Sequence, residues 1–298
     1  MRQTIIGKQY DEERALYNIK DADITNTVFA GPADGESALK EARNITLTDC
    51  SFSLRYPLWR TLGFKMERTT MDELTRAAIW YSNDGEIVDS TLGGIKALRE
   101  CKNIRIAGSE VVSPEFGWNT HNVSVSNTGI TSEYAFLNSS DLHLSGVHFS
   151  GKYSFQYVEN MTIEDSILDT KDAFWHSKNV TVKNSTIKGE YLAWYSEGLT
   201  LIGCRIIGTQ PLCYCKGLKL IDCTMEECDL AFEYSDVDAT VCGTIDSVKN
   251  PKSGEIVCDG VGEVIMEDAV IPCAGKVTIR KNSICGCRNN ATTRGKAA

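Results

Sequence analysis

The sequence has no uninterrupted apolar run near the roughly 20 residues that a membrane-spanning helix needs, no cluster of Lys and Arg, and no Cys-x-x-Cys. The first absence excludes a helical membrane protein. The second removes the basic stripe by which proteins hold a phosphate backbone, and a net charge of -9 with a pI near 5.1 also argues against nucleic acid. The third weakens any zinc reading: Cys213-x-Cys215 and Cys285-x-Cys287 are one residue too tight, and only four histidines (His121, His143, His148, His176) are available. Neither metal nor cofactor is expected. The opening residues, Met1-Arg2-Gln3-Thr4-Ile5-Ile6-Gly7-Lys8, lack the apolar core of a secretory signal. The expected location is therefore cytoplasmic, with the twelve cysteines reduced. Asn-x-Ser/Thr strings such as Asn122-Val123-Ser124 and Asn179-Val180-Thr181 read as a turn Asn entering a Thr-rich strand.

What is present is a repeat. Ile104, Val123, Leu142, Met161, Val180, Leu199, Leu218 and Val237 follow one another at intervals of 19 residues. Two positions on, Ile106, Val125, Leu144, Ile163, Val182, Leu201 and Leu220 are again apolar, the period of a half-buried strand. Four positions past each anchor stands Gly108, Asn127, Gly146, Asp165, Asn184, Gly203 or Asp222, residue types that tolerate the left-handed backbone of a sharp corner. A small side chain follows (Ser109, Thr128, Ser166, Ser185, Cys204, Cys223, Cys242), then apolar Val111, Ile130, Phe149, Leu168, Ile187, Ile206 or Met225, which marks a second short strand. A third strand is expected through Phe116-Gly117-Trp118, Ala135-Phe136-Leu137, Ala173-Phe174-Trp175 and Leu192-Ala193-Trp194, closed by a corner at Asn122, Asn160, Asn179, Gly198 or Gly217. Leucine-rich repeats need Leu-x-x-Leu-x-Leu and left-handed hexapeptide helices need 18 residues. A period of 19 fits neither, and the expected fold is a single-domain, all-β, right-handed parallel β-helix. The cysteines at 204, 223 and 242 then form a buried ladder of small side chains.

The repeat also shows its irregularities. Ile45, Leu47, Cys50 and Phe52 belong to a coil displaced by two residues from Ile87, Ser90 and Leu92. Between them, Thr70 and Glu73 form a capping box ahead of helix formers, which predicts a short helical insertion near 70–78. Beyond Val237 the pattern breaks into brief β-rich strings. One domain over 1–287 is expected, with coils over about 17–240, a cap over 241–287 covering the terminal strand edge, and a disordered tail at 288–298.

The strings Lys152-Tyr153-Ser154-Phe155-Gln156, Lys171-Asp172-Ala173-Phe174-Trp175-His176, Gly189-Glu190-Tyr191-Leu192-Ala193-Trp194-Tyr195 and Asp246-Ser247-Val248-Lys249-Asn250-Pro251 resemble the domain-of-unknown-function 3737 family over nearly the whole chain. That resemblance implies a bacterial protein with a pectin-lyase-like right-handed β-helix fold. It implies no reaction.

Function is therefore read from the third side of the coil. Fifteen positions after each anchor the stack reads Asn119, Asn138, Tyr157, His176, Tyr195, Tyr214, Glu233, preceded by Trp118, Trp175 and Trp194. Four positions earlier runs a second line of Tyr134, Tyr153, Asp172, Tyr191, Gln210 and Asp229, beside Lys152, Lys171 and Glu190. Coils about 4.8 Å apart make Lys171 a neighbour of Glu190, and Tyr157 and Tyr195 neighbours of His176. Aromatic rings beside polar groups suit a carbohydrate ligand, for which Lys152, Tyr153, Tyr157, Trp175, Tyr191, Trp194, Tyr195, Gln210, Tyr214 and Asp229 are the expected contacts. Hydrolysis would use two carboxylates, Asp172 and Glu190, with Asp169 and Asp229 in reserve. A lyase would use Lys171 or His176 as base. The competing expectation for function is a non-catalytic scaffold or interaction module whose regular face docks a protein or glycan, and that for the residues is Trp and Phe turned inward as core stacks with the Lys, Glu and Asp only solvating loops. Because Phe174 and Trp175 are adjacent, only one of them can face the core of a regular strand. The segment 246–251 is expected to be a turn and is left outside the catalytic set. The oligomeric state is not legible.

Overall fold

The computed structural model describes residues 2–280 and shows an all-β parallel solenoid with no helix among the described residues. The first side of each coil is a strand, and these strands pair in parallel from Gln3–Ile6 to Lys276–Ile279. The anchors pair as their spacing requires: Ile104 with Val123, Val123 with Leu142, Leu142 with Met161, Met161 with Val180, and Leu218 with Val237. A second parallel ladder carries Val111, Ile130, Phe149, Leu168, Ile187, Ile206 and Met225 in register. All of these side chains are buried, as alternation in a strand with one wet face demands.

The corners turn where the residue types allow. Asn127, Asp165, Asn184 and Asp222 have φ between 47° and 53°, and Gly146 takes the same left-handed conformation. The small-residue line behind them is hydrogen-bonded as well as packed. The Ser166 N–H donates to the Ser185 hydroxyl (3.1 Å), and the Ser166 hydroxyl donates to the carbonyl of Glu164 (2.8 Å). Cys204 replaces serine as a donor, its thiol 3.3 Å from the carbonyl of Val182. The line slips by one at its end, because Cys223 pairs with Val241 and not Cys242. Among the described residues nine cysteines are free and eight of those are buried, whereas Cys242 is disulfide-bonded, which departs from the reduced state expected there.

Residues 70–78 are not helical. Thr70–Met71 is a strand of the second ladder, paired with Ser51–Phe52 on one side and Thr91–Leu92 on the other. The capping signature is used by a different residue: the Asp72 carboxylate accepts the N–H of Leu74 (2.9 Å) and holds Thr75 and Ser53. Thr75 in turn donates to the buried carbonyl of Phe52 at 2.7 Å. Burial of Met71, Thr75 and Ala78 in the coil outweighs the helix propensity of the segment. Here the two extra residues are absorbed, since Ser51 pairs with Thr70, 19 positions on, but Leu58 pairs with Ile79, 21 positions on. After Val237 the first ladder continues through Ser253–Cys258 to Lys276–Ile279. The expected tail at 288–298 and Cys285-x-Cys287 lie outside the described residues.

The third side also departs from expectation. Short strands exist at Leu58–Trp59, Ile79–Trp80 and Leu98–Arg99, but from Phe116 to Tyr234 this side is mostly turn. Every second residue there is left-handed: Tyr153, Phe155 and Tyr157 in one coil, Asp172, Phe174 and His176 in the next. Alternate handedness turns successive N–H groups up and down the stack. The N–H of Tyr157 reaches the Trp175 carbonyl of the following coil, whereas that of Phe155 reaches the Ala135 carbonyl of the preceding one. The backbone is satisfied along the axis without extended strands.

Candidate functional site

The third side sorts its adjacent aromatics cleanly. Phe116, Phe136, Phe155 and Phe174 are buried; Phe116 meets Phe136 edge-on, and Phe136, Phe155 and Phe174 stack down the core, with ring centroids 5.1 Å apart for Phe155 and Phe174. Trp175 and Trp194 therefore face outward, half-buried and parallel at 5.5 Å. Their indoles are fixed by the next coil. Trp175 Nε1 donates to the Tyr191 carbonyl (2.7 Å) and Trp194 Nε1 to the Gln210 carbonyl (2.8 Å). Trp118 bonds the Tyr134 carbonyl in the same way, and Gln156 bonds that of Asp172.

One position further out, Tyr157, His176, Tyr195 and Tyr214 form a continuous ring ladder with centroid spacings of 4.9, 5.0 and 4.8 Å and interplanar angles of 16° or less. The ladder ends on Tyr234, 5.6 Å from Tyr214. The expected terminal member, Glu233, turns instead toward Lys249 (3.2 Å). Within the ladder each inner ring has its faces covered by its neighbours, so a ligand on this side meets ring edges, phenol hydroxyls and one imidazole. Tyr134 and Tyr153 stack at 4.8 Å. Tyr191 meets Trp194 edge-on, with Lys171 Nζ 5.3 Å above its ring. Lys152 lies 5.6 Å over Tyr153 and 3.2 Å from Glu133.

The charged candidates separate. Lys171 and Glu190 are neighbours and form an ion pair at 2.8 Å, each about half exposed; the bond to Glu190 raises the Lys171 ammonium pKa. Asp172 is buried at 6% exposure. Burial pushes its carboxyl pKa up, Lys171 opposes this, and Glu190 adds to it. Asp169 pairs with Lys188 (3.4 Å) on the second ladder, away from the rings. Asp229 is exposed and touches the group through its carbonyl, which accepts the N–H of Gln210 (2.9 Å). Two concavities lie elsewhere: one of about 570 Å³ over Gln3 and residues 14–20 of the first coil, the other of about 410 Å³ over residues 44–46, 63–65 and 84–86.

Two groups escaped the sequence reading. The tryptophan line extends backward across Arg99 to Trp80, still in the 19-residue phase, and on to Trp59, which the two-residue shift at 72–77 sets 21 residues before Trp80. At the other end, Lys249 is held by Glu233 and Asp268 (3.0 Å), and the buried Asn250 amide donates to Asp268 at 2.7 Å. The string 246–251 was visible as a motif, but its carboxylate partners come from one coil before and one coil after.

The arrangement defines a parallel β-solenoid that presents one outward aromatic line and one exposed ring ladder along a single side. The chain belongs to the DUF3737 family of proteins of unknown function, whose model matches residues 3–279. No curated protein matches it. Among solved structures it is similar to the A-module of the Azotobacter vinelandii mannuronan C-5 epimerase AlgE4, with 12% identity, 94% of this chain and 91% of that one covered, and a TM-score of 0.31. It is also similar to PfbA, a surface adhesin of Streptococcus pneumoniae, at 10% identity, 85% and 71% coverage and a TM-score of 0.34. A third likeness is the catalytic domain of a GH87 α-1,3-glucanase, at 10% identity, 93% and 58% coverage and a TM-score of 0.26. At scores this low none of them transfers an activity.

Proposed function

We propose that the chain binds an extended carbohydrate along the third side of its solenoid, taken as right-handed because parallel crossovers in one sheet almost always are. The observation that carries this reading is the outward line of Trp175 and Trp194 beside the exposed edges of Tyr157, His176, Tyr195 and Tyr214. A linear polymer parallel to the axis meets one such side chain per coil. Hydroxyl and imidazole edges supply hydrogen bonds, and Lys171, Glu190 and Gln210 lie at the margin.

Binding suits this surface better than turnover does. The Glu190 carboxylate is engaged by Lys171 and that of Asp172 is buried, so neither stands free on the ring side. Calorimetric titration with an oligosaccharide panel tests the proposal. Saturable binding that is lost in Trp175→Ala/Trp194→Ala and retained in Asp172→Asn/Glu190→Gln is expected. Turnover abolished by the carboxylate variants would replace binding with catalysis, and no binding to any oligosaccharide would leave the side a structural scaffold.

A further inference from the structure

The outward line does not begin at Trp118. Backbone bonds from Glu41 to Trp59, Arg60 to Trp80, Tyr81 to Arg99 and Glu100 to Trp118 place Trp59, Trp80, Arg99 and Trp118 at one position in successive coils. The same pattern continues through Leu137 and Gln156 to Trp175 and Trp194. The two halves of the line differ in chemistry.

In the later half the indole N–H groups are satisfied by backbone carbonyls. In the earlier half, Trp59 Nε1 and Trp80 Nε1 are buried and have no acceptor, although the two indoles stack at 5.5 Å and 13°. Cations attend these rings. Lys40 Nζ sits 4.1 Å over Trp59, and the Arg99 guanidinium lies 5.8 Å from Trp80 and 5.7 Å from Trp118. Arg99 Nε also lacks a hydrogen bond; its nearest carboxylate, Glu100, is 3.7 Å away and accepts the amide of Asn119. Such a group holds an excess of N–H donors against flat apolar surface, in a protein whose net charge is -9. A cation over an aromatic ring is held by only about 0.5–1 kcal/mol at an exposed site, so Lys40 and Arg99 can turn from the rings to an oxyanion, with which their hydrogen bonds are stronger. Movement of Lys40 also uncovers the Trp59 ring.

We infer that the stretch from Lys40 to Trp118 is the anion-recognising part of the carbohydrate face and takes the carboxylate or sulfate of an acidic sugar. This rests on the carbohydrate reading above and narrows its ligand class. The oxyanion accepts from Lys40 and Arg99, while the sugar ring lies against the indoles.

The test is calorimetric titration of the full chain, at two salt concentrations, with three oligosaccharides of equal length: an oligouronate, its neutral methyl ester and a sulfated neutral oligosaccharide. At least one acidic probe is expected to bind ten-fold or more tighter than the neutral ester, weakening as salt rises; which one binds separates carboxylate from sulfate. Lys40→Gln and Arg99→Gln are each expected to weaken that probe about ten-fold without changing affinity for the neutral ester, and Arg99→Lys to recover part of the loss. Equal affinity for acidic and neutral probes would overturn the anion site while leaving the carbohydrate face intact. Absence of binding to all three would overturn both. Acidic binding that Lys40→Gln and Arg99→Gln leave unchanged, in variants with unaltered far-UV circular dichroism, would place anion recognition elsewhere and also overturn the inference.

Discussion

Trp175 donates its indole N–H to the carbonyl of Tyr191, sixteen residues on and one coil further along the stack, at 2.7 Å. The turn conformation of the third side leaves that carbonyl without a backbone donor, and the tryptophan supplies one. Trp175→Phe keeps most of the ring and removes the donor. The expected loss is about 1–3 kcal/mol for an unpaired, partly buried carbonyl, read from equilibrium urea unfolding. Phe174→Ala, one residue away but in the core, should cost about 3–5 kcal/mol. Equal losses at the two positions would contradict the inward and outward assignment.

Asp172 gives a pH signature. Its folded-state pKa is raised, mainly by burial, so the folded protein holds this proton more tightly than the unfolded chain. The stability it contributes is complete below the unfolded carboxyl pKa and is lost as pH rises through the folded value. Wild type should therefore lose stability relative to Asp172→Asn as pH rises from the ordinary carboxyl pKa of about 4 through the raised folded value. Thermal unfolding of both proteins across that range checks it; a difference independent of pH would mean that the carboxyl is not desolvated.

Lys171 and Glu190 form a short ion pair, but both side chains are about half exposed. Water screens such a pair, and a double-mutant cycle should return a coupling of about 0–1 kcal/mol. A coupling of several kcal/mol would show the pair to be desolvated, and would reopen Glu190 as part of a reactive centre.

Burial pushes the thiols of Cys101, Cys215 and Cys228 up, to about 12, 11 and 12. A protonated, enclosed thiol is a poor nucleophile. Iodoacetamide labelling of the native protein, followed by peptide mapping, should modify Cys273, the half-buried one among the nine free thiols of the described residues, well before the other eight. Denaturant should equalise them.

The ladders were legible because one residue class recurs at each position: anchors such as Val123 and Leu142, corners such as Asn127 and Gly146, small donors such as Ser166 and Ser185. Each class meets a single physical demand, and the demand repeats. The 72–77 segment misled because Thr70, Glu73 and the alanines satisfy helix rules locally, while the decisive contacts, Met71 and Thr75 in the core, are made to other coils. The tryptophan orientation could not be read from alternation, because alternation assumes a strand and this side alternates backbone handedness instead. Trp59 was lost with the phase, Trp80 because Arg99 interrupts the line between it and Trp118, and the Lys249 cluster because Glu233 and Asp268 are distant in sequence. The ring ladder and the Lys171–Glu190 contact were legible, since both follow from stacking alone.

Nearly every backbone group bonds a partner about one coil away, from Gln3 opposite Ala22 to Glu255 opposite Lys276. For an all-β chain this is an unusually local wiring, with a relative contact order on the order of 0.07, the territory of helical bundles. Assembly can then begin at any pair of adjacent coils and grow by zipping outward, each new coil closing a loop of similar small entropy against an edge already in place. Coils longer than 19 residues, such as the 23 between Ala22 and Ile45 and the 21 through 72–77, become the points where such growth must close a longer loop, and hence natural pauses along the chain.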